Sequence, residues 1–235
     1  MGPFADGTPF LRAPRALFAF AADHGHCVLR ALIDPSLVAR AAAAAIGELN
    51  DLGLLQRGQS RLADGFAPSG TGYDDPRRIQ LQQRCLPHPV FTTLGNNHKL
   101  LAALQAVVGG PLAPITGNIV RVGWPERFDL TTAPHQDQHY IGLANVGWTV
   151  WLPLSACPLE LGPLAVVNRS HRNGLFEHDR DAQPGVRWRS EWQWRSAPLQ
   201  PGDVVLFHSL AVHGALPNTL RDALRLSYDF RIRGA

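Results

Sequence analysis

The chain has 235 residues, 45% hydrophobic and 17% charged, which is ample for one compact core and too short for two full-sized domains. Its 22 basic residues outnumber 19 acidic ones by a formal charge of only +3, too small an excess to carry a nucleic-acid-binding reading. Cys27, Cys85 and Cys157 lie far apart without a C-x-x-C pair, which argues against a cysteine zinc site and fits free thiols in a reducing compartment.

Taken in order, the apolar stretch at residues 16–22 has no basic region before it and is too short to cross a bilayer or form a signal sequence. A cytoplasmic protein with no membrane partner is expected. Pro14 is placed to open a helix running to about Asp23, and residues 26–29 read as a short strand. Asp34 and Pro35 form an N-cap and first-turn pair for a helix that runs through five consecutive alanines to Leu49. Residues 58–76 are rich in Gly, Ser, Asp and Pro and predict a long surface loop, a candidate lid. Residues 78–85 alternate enough to predict a strand, and residues 97–108 have helical periodicity ended by Gly109-Gly110-Pro111.

From Pro114 the pattern changes to short alternating or apolar runs at 115–122, 135–143, 147–154, 164–167, 203–207 and 224–232, separated by Gly, Pro and Asn. Many short strands with turn signals predict a sandwich or jelly roll. One domain over 1–235 is expected, with N-terminal helices, edge strands and the lid loop in 1–113 and the site-bearing core in 114–235. Arg187, Arg189 and Arg195 interleave with Trp188, Trp192 and Trp194. Such a pattern can stack bases and grip phosphates, but it also describes an ordinary amphipathic strand or hairpin, and no nucleic-acid partner is expected.

His135 and Asp137 stand two apart at the start of a strand-like run, so both side chains share a face and can share a metal ion. His213, after the apolar run 204–207 and before Gly214, is placed to supply a third ligand. Two imidazoles and a carboxylate on one side of an octahedral ion leave the opposite positions open, the facial triad of non-haem iron(II) oxygenases. His139 shares that strand face about 13 Å along, on the substrate side. With Tyr140 it is a candidate substrate contact.

The last run adds specificity. Leu224, Leu226, Tyr228, Phe230 and Ile232 make one apolar face, while Arg225, Ser227, Asp229 and Arg231 make the other. If the apolar face packs on helices, Arg225 and Ser227 point into the barrel, where a cation is costly unless an anion meets it. A guanidinium fork with a neighbouring hydroxyl suits the distal carboxylate of 2-oxoglutarate. Arg221 is the runner-up anion binder.

His135-Gln136-Asp137-Gln138-His139-Tyr140, Trp151-Leu152-Pro153-Leu154, Gly162-Pro163-Leu164 through Ser170-His171-Arg172, Pro201-Gly202-Asp203, His213-Gly214, Asn218 and Arg225-Leu226-Ser227 together resemble the phytanoyl-CoA dioxygenase family, and residues 24–46 resemble its opening strand and helix. The resemblance implies a mainly β fold with flanking α-helices around a cupin-like double-stranded β-helix, or jelly roll. It implies iron(II) at His135, Asp137 and His213, and 2-oxoglutarate at Arg225 and Ser227 beside Trp151 and Asn118. Asn168-Arg169 departs from the usual Pro-Gly there.

The activity so implied is oxidation of a small-molecule metabolite at an unactivated C–H by iron(II), 2-oxoglutarate and O2, giving succinate and carbon dioxide. A halogenase would carry a small residue in place of Asp137. A metal-dependent cupin-type enzyme without 2-oxoglutarate stays as the alternative, but leaves Arg225 and Ser227 unexplained. A non-catalytic relative would be expected to lose a ligand. Substrate identity and oligomeric state are not readable from these residues.

Overall fold

The computed structural model describes residues 1–55, 72, 75–142, 144, 146–179 and 185–235. The lid expected at 58–76 falls almost wholly outside the described residues. Asp75 and Pro76 at its end start a helix.

Five helices open the same way, with a polar cap or proline at the first turn. α1 (Pro14–His24) starts on proline. In α2 (Pro35–Asp51) the Asp34 carboxylate accepts from Ser36 N at 2.8 Å. In α3 (Pro76–Cys85) Asp75 accepts from Arg77 N at 2.9 Å. After α4 (Pro89–Gly95), the Asn97 side chain caps α5 (His98–Val108). The strand expected at 78–85 is therefore a helix: the Asp-Pro start satisfies its free N–H groups, and buried Leu81 and Cys85 fall four apart on one face.

The strands are β1 (His26–Leu29), β2 (Leu112–Gly123), β3 (Trp148–Pro153), β4 (Leu164–Val167), β5 (Trp194–Arg195), β6 (Val204–His208), β7 (His213–Ala215) and β8 (Arg225–Gly234). They form a five-stranded sheet, ordered β1-β6-β3-β8-β2, and a three-stranded sheet, ordered β5-β4-β7, with every ladder antiparallel. The run expected as a strand at 135–143 instead makes one bridge at His135 and turns into a short helix, α6 (Asp137–Ile141).

Period-2 alternation divides the core. Val150, Leu152, Val204, Leu206, Leu226, Tyr228, Phe230 and Ile232 pack outward on the helices. Val28, Trp151, Val205 and Phe207 face inward against Leu164 and Val166 of the smaller sheet. β1, from the N-terminal segment, completes the larger sheet against β6. Among the described residues, no helix is long and apolar enough to cross a membrane.

Where β1 and β6 meet, His26 is fully buried, its Nδ1–H donating to His24 O while Nε2 accepts from Ala5 N. Burial lowers His26 and His208 from the ordinary histidine value to about 4. Both stay neutral in the fold and protonate first when unfolded, so the stability they confer is present above about pH 6.5 and is lost as pH falls toward 4. Urea unfolding between pH 6.5 and 5 is expected to show stability falling by up to about 1.4 kcal/mol per pH unit for each histidine. The slope should be visibly shallower in His208→Asn.

Candidate active site

His135 and His213 face each other across a narrow antiparallel bridge, His135 N donating to His213 O at 2.8 Å and His213 N to His135 O at 2.9 Å. Their rings stand with centroids 4.2 Å apart. Gln136, between the ligand candidates, points the other way. Its amide donates to Gly174 O and Leu210 O and accepts from Phe176 N, which pins the turn from which Asp137 opens α6. One nitrogen or oxygen from each of His135, Asp137 and His213 lies within 4.8 Å of the others, and all three residues are buried.

The protonation pattern of the cluster suits a cation. His135 Nδ1 pairs with Ala133 O at 2.8 Å and His213 Nδ1 with Ala211 O at 3.0 Å. Each ring therefore keeps its proton on Nδ1 and presents the Nε2 lone pair, 3.7 Å and 3.8 Å from Asp137 Oδ1. Burial lowers His213 to about 3, with His135 adding to the effect. Burial alone would raise Asp137, but His135, His213 and Arg231 outweigh it and hold the carboxyl well below its ordinary value. Arg231 makes a two-pronged ion pair with Asp137, Nε to Oδ2 at 2.9 Å and Nη2 to Oδ1 at 2.8 Å, and Thr149 Oγ1 donates to Oδ2 at 2.6 Å. Neither Thr149 nor Arg231 had a role assigned from sequence, although the alternation of β8 already set Arg231 on the inward face.

Arg225 begins β8 opposite Gly123. It is 5% exposed, Nη1 donates to Ser227 Oγ at 2.8 Å, and its guanidinium stands 6.0 Å from the Trp151 ring. Its Nε is buried without a partner among the described residues, and no carboxylate pairs with it there. Burial lowers its pKa from the ordinary arginine value. The nearby Asp229 is already engaged, both oxygens accepting from Arg121 Nε. The cavity shared by Arg121, His135, Trp151, His213, Arg225 and Asp229 holds about 20 Å³, and one of about 70 Å³ lies on the far side of Arg121 and Arg225, beneath α3.

Other candidates are placed differently. Asn118 donates to Tyr228 Oη at 3.4 Å, and Tyr228 packs among the helices against Phe91, so that amide is directed away from the cluster. His139 stacks on His178 at 4.1 Å, while Tyr140 sets its ring edge-on to His135 at 5.6 Å. The helix accounts for both, since it swings these side chains out of strand alternation, and both are exposed. Arg221 precedes β8, is 87% exposed and pairs with Glu126 at 3.5 Å; it does not face the barrel. Trp188, Trp192 and Trp194 line a separate cavity of about 660 Å³ on the outer face of the smaller sheet, over Ala165, Gly214 and Ala215.

The paired antiparallel sheets, with a His-Asp-His cluster between strand ends and a buried anion-seeking arginine, define a cupin-like jelly roll of the 2-oxoglutarate oxygenase type. Solved structures share that fold. The epimerase SnoN, in complex with Fe3+, alpha ketoglutarate and nogalamycin RO, superposes with a TM-score of 0.70 at 22% identity, covering 95% of this chain and 84% of its own. The non-heme alpha ketoglutarate dependent carbocyclase SnoK gives 0.65 at 21%, covering 100% and 88%. The chain belongs to the phytanoyl-CoA dioxygenase (PhyH) family, which it matches over residues 22–222. It is thus an oxidoreductase of the class that uses iron(II), 2-oxoglutarate and O2. The 1-deoxypentalenic acid 11-beta-hydroxylase of Streptomyces arenae is 28% identical over 254 residues, covering 99% of this chain and 85% of that protein.

Gly123 has a consequence for Arg225. A Cβ there would stand 3.0 Å from Arg225 Nε and 3.2 Å from Nη2, so Gly123→Ala displaces the guanidinium without touching the cluster. The expected result in isothermal titration is roughly tenfold weaker 2-oxoglutarate binding, consistent with losing a charge-assisted hydrogen bond of about 1.5 kcal/mol, with iron affinity unchanged.

Proposed function

We propose that His135, Asp137 and His213 hold the iron, that Arg225 and Ser227 receive the distal carboxylate of 2-oxoglutarate beside Trp151, and that the enzyme hydroxylates an unactivated C–H of a small-molecule metabolite. The observation that carries this reading is Arg225. A buried guanidinium whose Nε has no partner is expensive, and a carboxylate entering the cavity it shares with the cluster resolves that cost. The donor set agrees: two imidazoles with Nδ1 engaged by backbone carbonyls and Nε2 turned to the carboxylate suit a divalent iron. Asn118 is left out of this set because its amide is directed to Tyr228.

Iron with its co-substrate would supply the oxidation there: O2 is the oxidant, one of its oxygen atoms going into succinate as 2-oxoglutarate loses carbon dioxide and the other into the substrate's new hydroxyl. The chain's residues do the rest. Arg225 and Ser227 fix the diacid's far end by a charge-assisted pair of donors. Trp151, Leu164 and Phe207 keep the interior dry, which strengthens each charge interaction there. Tyr140, edge-on to His135, and His139 border the approach for substrate. A hydroxylated product is supported by the hydroxylase that matches along nearly the whole chain.

One domain over 1–235 is supported by β1 and the helices of 1–113 sharing a core with the strands of 114–235. A reducing, cytoplasmic setting is supported by three buried free thiols, each raised by burial. In the Arg-Trp segment Trp188 and Trp194 stack face to face at 5.4 Å with Trp192 edge-on to both, which supports a reading without nucleic acid.

Anaerobic addition of iron(II) and 2-oxoglutarate is expected to produce a visible charge-transfer band that is lost in His135→Ala. Arg225→Ala should weaken 2-oxoglutarate binding by about ten- to a hundredfold, the loss of a charged hydrogen bond of about 1.5–3 kcal/mol, while Arg221→Ala leaves it unchanged. Tight iron binding with no such band would sink the co-substrate assignment in favour of a cupin-type enzyme.

A further inference from the structure

We infer that Arg231 and Thr149 are positioning residues that restrict Asp137 to a single metal-facing oxygen, Oδ1, and so keep a coordination position free for the co-substrate. The inference rests on the proposed iron site at His135, Asp137 and His213.

The two oxygens of Asp137 have unequal surroundings. Oδ2 is taken up by the Thr149 hydroxyl at 2.6 Å and Arg231 Nε at 2.9 Å. Oδ1 receives one bond, from Arg231 Nη2 at 2.8 Å, and is the oxygen near Nε2 of both His135 and His213. For both oxygens to bind a metal, Oδ2 would have to abandon two hydrogen bonds. Arg231, buried at 6% exposure, would then lose half of its only carboxylate contact among the described ion pairs, which is costly in a low-dielectric interior.

The arginine is itself held. Its third nitrogen, Nη1, donates to Gly117 O, which lies in the register shift of β2 between Ile115 and Ile119. Gly117 has φ +104°, and a Cβ there would stand 3.3 Å from Nη1. The bulge thus turns a carbonyl toward Arg231 at a backbone angle that favours glycine. All three guanidinium nitrogens are committed, and the planar fork meets the carboxylate edge-on. A lysine cannot reproduce this, being a point charge without a fork.

Cobalt(II) is a suitable probe, since its visible d–d absorption reports the ligand arrangement. Wild type, Thr149→Val, Arg231→Lys and Arg231→Gln are loaded with cobalt(II), and 2-oxoglutarate binding to each loaded protein is measured by calorimetry. Thermal melts establish which variants fold. The expected result is a changed cobalt spectrum in Thr149→Val and Arg231→Lys with roughly tenfold weaker 2-oxoglutarate binding, and a larger loss, up to about a hundredfold, in Arg231→Gln. A purely structural role would lower the melting temperature but leave the spectrum of the bound metal as in wild type. The inference is overturned if Thr149→Val and Arg231→Lys both show the wild-type spectrum and 2-oxoglutarate affinity. Thr149→Val keeps the test decisive should the arginine variants fail to fold. If instead the wild type shows no cobalt band, or His135→Ala shows an unchanged one, the underlying metal-site reading has failed.

Discussion

The alternation of β8 governs the interior of this protein. A strand covered on both faces ordinarily reads as a continuous apolar run, because neither face meets water. β8 is covered on both faces and still alternates: Leu226, Tyr228, Phe230 and Ile232 pack on the helices, while Arg225, Ser227, Asp229 and Arg231, all buried, line the barrel. For β8 itself the hydrophobic driving force is therefore supplied from the helical side, while the apolar contacts inside the barrel come from Val28, Trp151, Val205 and Phe207 of its neighbours, and the inward face of β8 is free to carry charge.

Charge placed there has to be answered group by group, since an unpaired buried ion costs several kcal/mol. Along the strand the answers differ. Arg231 is matched by Asp137 and Gly117, Asp229 by Arg121, and Ser227 by Arg225. Of these four side chains, only Arg225 keeps a buried nitrogen without a partner among the described residues. The interior thus runs from a closed electrostatic account at one end of β8 to an open one at the other, and the cluster of His135, Asp137 and His213 is tied to the closed end. The ligand candidates are oriented before anything binds, and the end that remains unsatisfied is the end a diacid would fill.

Much of this was legible in the residues. The 2.0 period of residues 224–232 gave the inward set, the Asp34-Pro35 start and the helical periodicity of 97–108 with its Gly109-Gly110-Pro111 stop placed their helices, and short apolar runs placed β1, β3, β4 and β6, because each of these features is local. Errors arose where a local pattern had two solutions. Residues 78–85 alternate over a few positions, but the Asp75-Pro76 start and the spacing of Leu81 and Cys85 belong to a helix. Residues 135–143 are strand-like only as far as the bridge to His213, a contact with a segment distant in sequence, and then turn into α6. Asn118 depends on the register shift in β2, which no composition rule locates. Arg231 was visible as inward-facing, but its partner was not, because the pairing joins residues 94 positions apart.

The Asp137–Arg231 pair also bears on any attempt to redirect this scaffold toward halogenation. Such a conversion replaces the carboxylate with a small side chain so that chloride can occupy its place. Here Asp137→Gly would strip a buried guanidinium of its counter-ion, a loss of about 3–5 kcal/mol for a broken buried pair, and would leave Arg231, beside Arg225, as a second buried cation open to chloride. The halide would be drawn beside the arginine as much as toward the metal. A workable swap therefore needs both residues changed together, for example with an apolar side chain of similar volume at 231.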